Sequence, residues 1–419
     1  MHVIIRNYLV LMKIKAFLIG TVLVLLGIQS YGQNQLLGQS YNPNVITTAV
    51  PFVSIAPDAR GGSMGDCGVA SEADVYSMHY NPAKYSFLDK KLAVGLGYSP
   101  WLHNLVPDMH LAYLAFAMKL NPESALAATL RYFRCGDIEF RRTAEETPQK
   151  YSPNEWALDV AYSRMLTEYL SGSVAGRFIY SNLTQGYDES SAGWSVAADV
   201  AVYYKRPVEW FRDMDADFAW GVCINNIGSK VSYRNTSIEK DFIPTTLRFG
   251  PSLKMELDEY NSLAFMFDVT KLLVPTPPLY KRGADGQPVI VDGQYEIEAG
   301  MSDDVSVLVG MIQSFYDAPG CSYNDQMELV RFGKGYEELC EYNIGVGAEY
   351  WYNNTFAVRA GYFNEAAMKG NRKYVTLGAA LKYNVFGLDV SYLVPVNGKV
   401  GTNPLENTLR FNLTYDIAK

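Results

Sequence analysis

The stretch WSVAADVAVYY, residues 194–204, changes character at every step. Trp194, Val196, Ala198, Val200, Val202 and Tyr204 share one parity, and Ser195, Ala197, Asp199, Ala201 and Tyr203 the other. Neighbouring side chains on a strand point to opposite faces, so this is a strand with one apolar and one polar side. Residues 155–166 repeat the pattern, with Trp156, Leu158, Val160 and Tyr162 against Ala157, Asp159, Ala161 and Ser163. Near the end of the chain, Leu409, Phe411, Leu413 and Tyr415 stand against Arg410, Asn412, Thr414 and Asp416.

Charges in the middle of these segments keep to the polar parity. Arg131, Arg177, Arg248, Lys254, Arg359, Lys382 and Arg410 lie there, with Asp159, Asp199, Asp268, Glu349 and Asp389. A soluble sandwich also has polar-out strands, but its buried face does not call for Trp and Tyr repeated at strand ends. In a membrane barrel the parity is forced, because Lys or Arg on the lipid face costs roughly 2–4 kcal/mol at mid-depth. The mixed signs imply ion-pair and hydrated networks inside a barrel rather than an ion-selective pore.

Fourteen strands are expected, over 92–98, 110–119, 125–134, 155–166, 170–181, 193–204, 216–226, 245–257, 262–270, 341–352, 355–363, 373–384, 386–394 and 407–416. The number is even, as a single-chain bacterial barrel requires. Residues 304–313 resemble a fifteenth strand, but inserting it breaks the alternation of short and long connections. Without it the short turns at 121–124, 167–169, 258–261 and Asn353-Asn354 all fall on one side, which should be periplasmic. The fold class is therefore all-β, a 14-stranded antiparallel transmembrane β-barrel over 91–419, with 271–340 as one long extracellular excursion. A structureless loop of that length is improbable, so small elements and a function are expected in it.

The ends and the composition agree with export to a membrane. Residues 1–32 read as a signal peptide: Lys13 and Lys15 flank an apolar run over 17–28, and Ser30-Tyr31-Gly32 supplies small residues for cleavage. Read from Met12, MKIKAFLIGTVLVLLG is an ordinary signal sequence. The run is shorter than the ~20 residues of a spanning helix. Its removal takes away Arg6, Lys13 and Lys15 and no acid, leaving 33 basic against 44 acidic residues and a net charge of −11. That balance argues against nucleic acid, which needs a basic face. Tyr 31, Phe 19 and Trp 6 make an aromatic content suited to barrel girdles. The five cysteines, Cys67, Cys135, Cys223, Cys321 and Cys340, contain no CxxC pair, and only Cys321–Cys340 is a candidate disulfide beside the simpler reading of five thiols.

Ahead of the strands, residues 57–84 read PDARGGSMGDCGVASEADVYSMHYNPAK. Gly61, Gly62, Gly65 and Gly68 cannot build a core, so this backbone must fold against something else. The pairing of GGSMGD with NPAK resembles the N-terminal plug of FadL-type outer-membrane barrels, and the fuller spelling resembles the PorV (LptO) branch, outer-membrane components of the type IX secretion system. Taken alone, the segment also reads as a surface loop with an Asn-Pro turn. The PorV likeness continues through YSPWL (98–102), LRYF (130–133), EWALDVAYSRML (155–166), GRFIYSNL (176–183) and DVTKLLVPTPP (268–278). It runs on through QSFYDAP (313–319), EYWYNNTFAVRAGYFNE (349–365), KGNRKYVTLG (369–378), LDVSYLVP (388–395) and NPLENTLRF (403–411). The chain departs from many barrels in ending Asp416-Ile417-Ala418-Lys419 rather than on an aromatic assembly signal, a role left to Tyr415.

The resemblance implies an extension and plug over 33–90 and a non-enzymatic shuttle without cofactor. Such a protein receives secreted cargo by its C-terminal signal domain as it leaves a Sov/SprA-type translocon. It hands the cargo to a PorU-type sortase with its PorZ-type companion, in contact with outer-membrane lipid. In the plug, Asp58, Arg60 and Asp66 are candidates to pair with luminal charges, Gly65 lies in the Gly-rich turn, and Asn81-Pro82 is expected to turn the chain into the first strand. A plug that only seals the lumen and one that gates hydrophobic molecules are both open. For the rim, Pro275, Pro277 and Pro278 should form a stiff projecting ridge. Phe315, Tyr316 and Asp317 lie in the same excursion, with Trp101 and Leu102 in the first extracellular loop, as candidate anchors for cargo or partners. Trp101 equally suits a membrane girdle, and Phe315 and Tyr316 a small core within the loop.

A link between this family and lipid A deacylation makes a hydrolase worth weighing. Beyond residue 32 only His79, His103 and His110 remain. His79 lies near Ser77 and Asp74 in sequence, but a catalytic triad is a matter of geometry. No GxSxG elbow occurs in a strand-to-helix setting. No Cys/His cluster supports a metal, and His103 and His110 read as loop histidines.

Overall fold

The computed structural model describes residues 44–102, 106, 108–141, 147–183, 190–210, 214–233, 240–283, 286–324, 326–396 and 408–417. Residues 1–43, which hold the expected signal peptide and the start of the extension, lie outside the described residues, as do His103 and the terminal Ala418-Lys419. The described residues divide into two compact units, a short hairpin within 321–331 and all the rest. In the hairpin Cys321–Tyr323 pairs antiparallel with Leu329–Arg331.

Fourteen antiparallel strands close into a barrel. They are β1 Leu92–Pro100, β2 His110–Asn121, β3 Ser124–Arg134, β4 Asn154–Met165, β5 Leu170–Asn182, β6 Gly193–Val208 and β7 Ala216–Gly228. The second half comprises β8 Thr246–Glu256, β9 Asn261–Leu272, β10 Tyr342–Tyr352, β11 Phe356–Asn364, β12 Lys373–Tyr383, β13 Phe386–Pro395 and β14 Leu409–Ile417. Each pairs with its sequence neighbours, and β1 closes on β14 from Leu92↔Ile417 to Tyr98↔Phe411. Closure leaves no sheet edge, which is what a strand-built span of a bilayer requires. Every expected strand is present. Residues 304–313 do not add a fifteenth; Val307–Gln313 is a helix.

The short connections gather at one end, as at Asn353 and Asn354, whose φ values of 50° and 49° suit a tight hairpin and which Asn tolerates. The longer connections, including 273–341 between β9 and β10, lie at the other end. Apolar side chains such as Leu96, Leu158, Val174, Leu377 and Leu413 face outward and are exposed toward the lipid side. Tyr415, on the same outward parity, packs against Phe386 with ring centroids 5.2 Å apart.

Inward positions are small on one wall: Ala115, Ala117, Ala125, Ala127, Ala161 and Ala175 are buried there. The room they leave is taken by Val75, Met78 and Tyr85 of the N-terminal segment in one apolar cluster. The barrel's core is thus built between its wall and residues 44–91, not between strands alone.

Candidate functional site

The N-terminal segment descends through the lumen from the long-loop end. Asn44 Nδ2 donates to Glu337 Oε1 at 3.0 Å and to the carbonyl of Pro277 at 3.3 Å. Phe52 stacks with Phe133, and the Arg131 guanidinium donates to the carbonyls of Phe52, Val53 and Ile55. The single-turn helix α1, Ala59–Gly62, follows, its Gly61 amide donating to Asp58 Oδ2 at 2.7 Å. Asp58 is therefore a helix cap, the commonest use of Asp at such a position, rather than a partner for a luminal cation.

Arg60 reaches the wall. Its Nη2 lies 2.7 Å from Glu349 Oε1 on β10, and its Nη1 3.0 Å from Asp74 Oδ2 within the segment. Glu349 is shared with Arg359 on β11, which also bonds Asp389 on β13 at 2.6 Å. Asp66 accepts from Tyr374 Oη at 2.5 Å and lies 3.7 Å from Arg410. Gly65 has φ +68°, and a Cβ there would sit 2.4 Å from the carbonyl oxygen of Tyr362. Its amide donates to Thr376 Oγ1 at 2.9 Å. Further on, the amides of Gly68 and Val69 both donate to Asp268 Oδ2 on β9, at 2.7 and 2.9 Å. Mid-strand charges on the polar parity thus serve as sockets for the segment. Others pair across the wall, as Arg177 does with Asp159 and Asp199.

Asn81-Pro82 does not turn the chain into β1. Asn81 caps the 3₁₀ helix Pro82–Phe87, accepting from the Ala83 amide while its Nδ2 donates to the carbonyls of Val69 and Val202. Proline at the first helical position needs no N–H partner and presets φ, so a helix begins where a turn was expected. β1 starts only after a bend at 89–91.

Serine 77 does donate to Asp74, at 3.2 Å. His79, however, lies elsewhere, its Nδ1 and Nε2 3.2 and 3.3 Å from guanidinium nitrogens of Arg131 and Arg248. Those neighbours repel an imidazolium, and the Ser77, Asp74 and His79 side chains form no relay. His110 is half-buried at the outer end of β2, beside Tyr98. Cys67, Cys135, Cys223 and Cys340 are free thiols, so the candidate Cys321–Cys340 disulfide is not formed.

Residues 273–341 carry small elements: Leu279–Tyr280 pairs with Ile297–Ala299, Ile290–Val291 with Gln294–Tyr295, and two short helices follow, α2 Val307–Gln313 and α3 Lys334–Cys340. Their footing is buried and ionic. Lys271, at the end of β9 and fully buried, meets Glu341 and Glu338, and Lys369 meets Glu337 and Glu341 at 2.9 and 3.0 Å. Thr276 Oγ1 donates to Glu341, and the Thr276 amide to Asp317 Oδ2 at 3.1 Å. Burial, with Glu341 and Glu338 nearby, pushes the Asp317 carboxyl up to about 6.

This footing overturns the projecting ridge. Val274, Pro275, Thr276 and Pro278 are buried and Pro277 is half-buried, because Pro275 packs against Gly310 of α2 and Pro278 against Gly300. Asp317 is fully buried as an internal acceptor. Trp101 packs half-buried on the cluster of Phe52 and Phe133, and Leu102 is half-buried with φ 47°. Phe315 and Tyr316 remain exposed. On the outer face of α2 stand Leu308, Val309 and Ile312, exposed by 67, 51 and 65 %, and Phe315 and Tyr316 follow in the turn just beyond its end. Spacings of one, four, seven and eight from Leu308 are a helical stripe, legible in the sequence once 304–313 is read with period 3.6 instead of 2.

The family model of the type IX secretion system protein PorV matches residues 38–279. The chain belongs to the PorV family. No curated protein matches it. Among solved structures, this PorV-family chain is similar to the toluene transporter TbuX of Ralstonia pickettii at 11% identity, covering 87% of this chain and 98% of that one, with a TM-score of 0.42. The toluene transporter TodX of Pseudomonas putida matches at 11% identity over 90% and 98%, with a TM-score of 0.43. A FadL homologue of Pseudomonas aeruginosa matches at 11% over 89% and 99%, with a TM-score of 0.40. A closed strand barrel and membership of this outer-membrane family place the PorV-family chain in the outer membrane, as a protein of type IX secretion.

Proposed function

We propose that this PorV-family barrel is a non-enzymatic cargo shuttle. It holds the C-terminal signal domain of secreted proteins as they leave a Sov/SprA-type translocon and delivers them to a PorU-type sortase with its PorZ-type companion. The observation that supports this reading is the outer face of α2 with the turn after it, where Leu308, Val309, Ile312, Phe315 and Tyr316 are exposed on an excursion rooted in buried ion pairs. Exposed apolar and aromatic side chains on a held platform are what a protein-docking surface needs. A fatty-acid or hydrocarbon conduit is less well supported, since residues 44–91 cross the lumen and are tied to its wall by bonded contacts.

The test replaces Leu308 and Ile312 together by Ser. Barrel migration on unheated gels should stay as in the wild type, while cargo co-purification and surface attachment fall. Normal attachment in that variant would remove the reading's main support.

A further inference from the structure

Below the N-terminal segment, at the short-turn end, the lumen is not filled. A cavity of about 400 Å³ lies there, bounded by the segment on one side and by the periplasmic ends of strands from β6 to β14 on the other. Its walls carry seven basic and six acidic side chains among the described residues. Most are already engaged. Lys205 and Lys254 share Glu72, Lys205 also meets Asp217 at 3.1 Å, and Arg60 and Arg359 share Glu349.

Lys90, Arg206 and Lys382 stand outside those pairs, and of these Lys382 of β12 rests on an aromatic ring. Its Nζ rests 4.5 Å from the centre of the Trp351 ring, and among the described residues no carboxylate lies within ion-pair distance of it. The side chain is exposed to the cavity. The indole face holds the ammonium in place without neutralising it, and Asp416 on the same wall acts on it only from beyond ion-pair distance, which leaves a positioned cation for an incoming anion.

The wall chemistry selects the class of ligand. An alkyl chain in this space would strip water from interleaved charges and give nothing back. An extended polypeptide supplies donors and acceptors along its backbone and side chains of either sign, and so matches such walls. We propose that this vestibule is a peptide-binding site open to the periplasm, taking an extended segment of a periplasmic partner whose carboxylate lies on Lys382. The site is separate from the outer face of α2 and independent of cargo docking there.

Full-length protein in detergent micelles at low salt, with the tetrapeptide Ala-Lys-Ala-Asp at millimolar concentration, tests this by saturation-transfer NMR. Wild-type protein should transfer saturation to the peptide, and Lys382→Glu should weaken binding about tenfold, as expected for one charge-assisted contact. Lys382→Gln, which removes the charge without reversing it, should fall between, and both should keep wild-type migration on unheated gels because the side chain is exposed. Absence of peptide signal from the wild type, or equal signals from wild type and Lys382→Glu, would overturn the site. Octanoate binding with the same dependence on Lys382 would overturn the peptide assignment in favour of a fatty-acid headgroup. Cargo attachment should be unchanged by Lys382→Gln, so failure here leaves the docking role of α2 untouched.

Discussion

Arg60 and Glu349 face each other across the lumen in a two-point contact, Nε 3.0 Å from Oε2 and Nη2 2.7 Å from Oε1. They lie 289 residues apart in sequence, and the pair ties the Gly-rich segment to β10. Glu349 is also the acceptor for Arg359, so the two partners are not equivalent.

Removing Glu349 leaves two buried guanidiniums short of a carboxylate, whereas removing Arg60 leaves Glu349 with Arg359. Stranding buried charge costs about 3–5 kcal/mol. Glu349→Ala should therefore lower the thermal transition of the barrel, followed by gel migration after stepwise heating, well beyond Arg60→Ala. Equal shifts for the two variants would contradict the shared-acceptor geometry.

Packing between segment and wall makes a second prediction. A Cβ on Gly361 would meet the Gly65 nitrogen and the Met64 carbonyl carbon, each at 2.2 Å, whereas one on Gly176 would meet nothing within 4 Å. Overpacking of that kind costs about 1–3 kcal/mol. Gly361→Ala should displace the segment and raise planar-bilayer conductance above wild type, with Gly176→Ala silent. A silent Gly361→Ala would mean that the segment does not seal the lumen.

The excursion should come loose before the barrel does. Lys271→Met takes one of two buried cations from Glu341, leaving it Lys369 and the Thr276 hydroxyl beside Glu338, and should speed proteolysis of residues 273–341 while barrel migration holds. Adding Glu341→Gln should restore part of the protection, since the buried acid short of one cation is then neutral. An additive double variant would show that the pair is not coupled.

The Asp317 carboxyl sets a pH dependence whose sign follows from its raised value. In the unfolded chain it titrates near 3.8 and in the folded excursion near 6, so between these the folded form binds more protons. The stability it contributes is full below about 3.8 and is lost as pH rises through 6. Hydrogen exchange of the Thr276 amide should thus be better protected at pH 4 than at pH 7, after correction for intrinsic rates. Asp317→Asn should flatten the difference. Equal protection at both pH values in the wild type would refute it.

Strand number, strand parity and the end at which short turns gather were all legible in the chain, because alternation with period two is a local property. Trp194 to Tyr204 carries it without reference to anything distant. Helix α2 was equally local but carried two patterns at once, since the apolar residues of 304–313 suit either period until the barrel's closure excludes another strand. The sequence alone did determine that Arg60 and Asp66 need partners in an apolar membrane setting, and that Glu349, Asp268 and Arg410 face inward. Only the tertiary structure decided which of them meet, that Asp58 caps a turn instead, and that the proline run from Val274 to Pro278 is buried. Those outcomes depend on what stands opposite a residue across the lumen or the excursion, and contacts hundreds of positions apart leave no periodic trace in the chain.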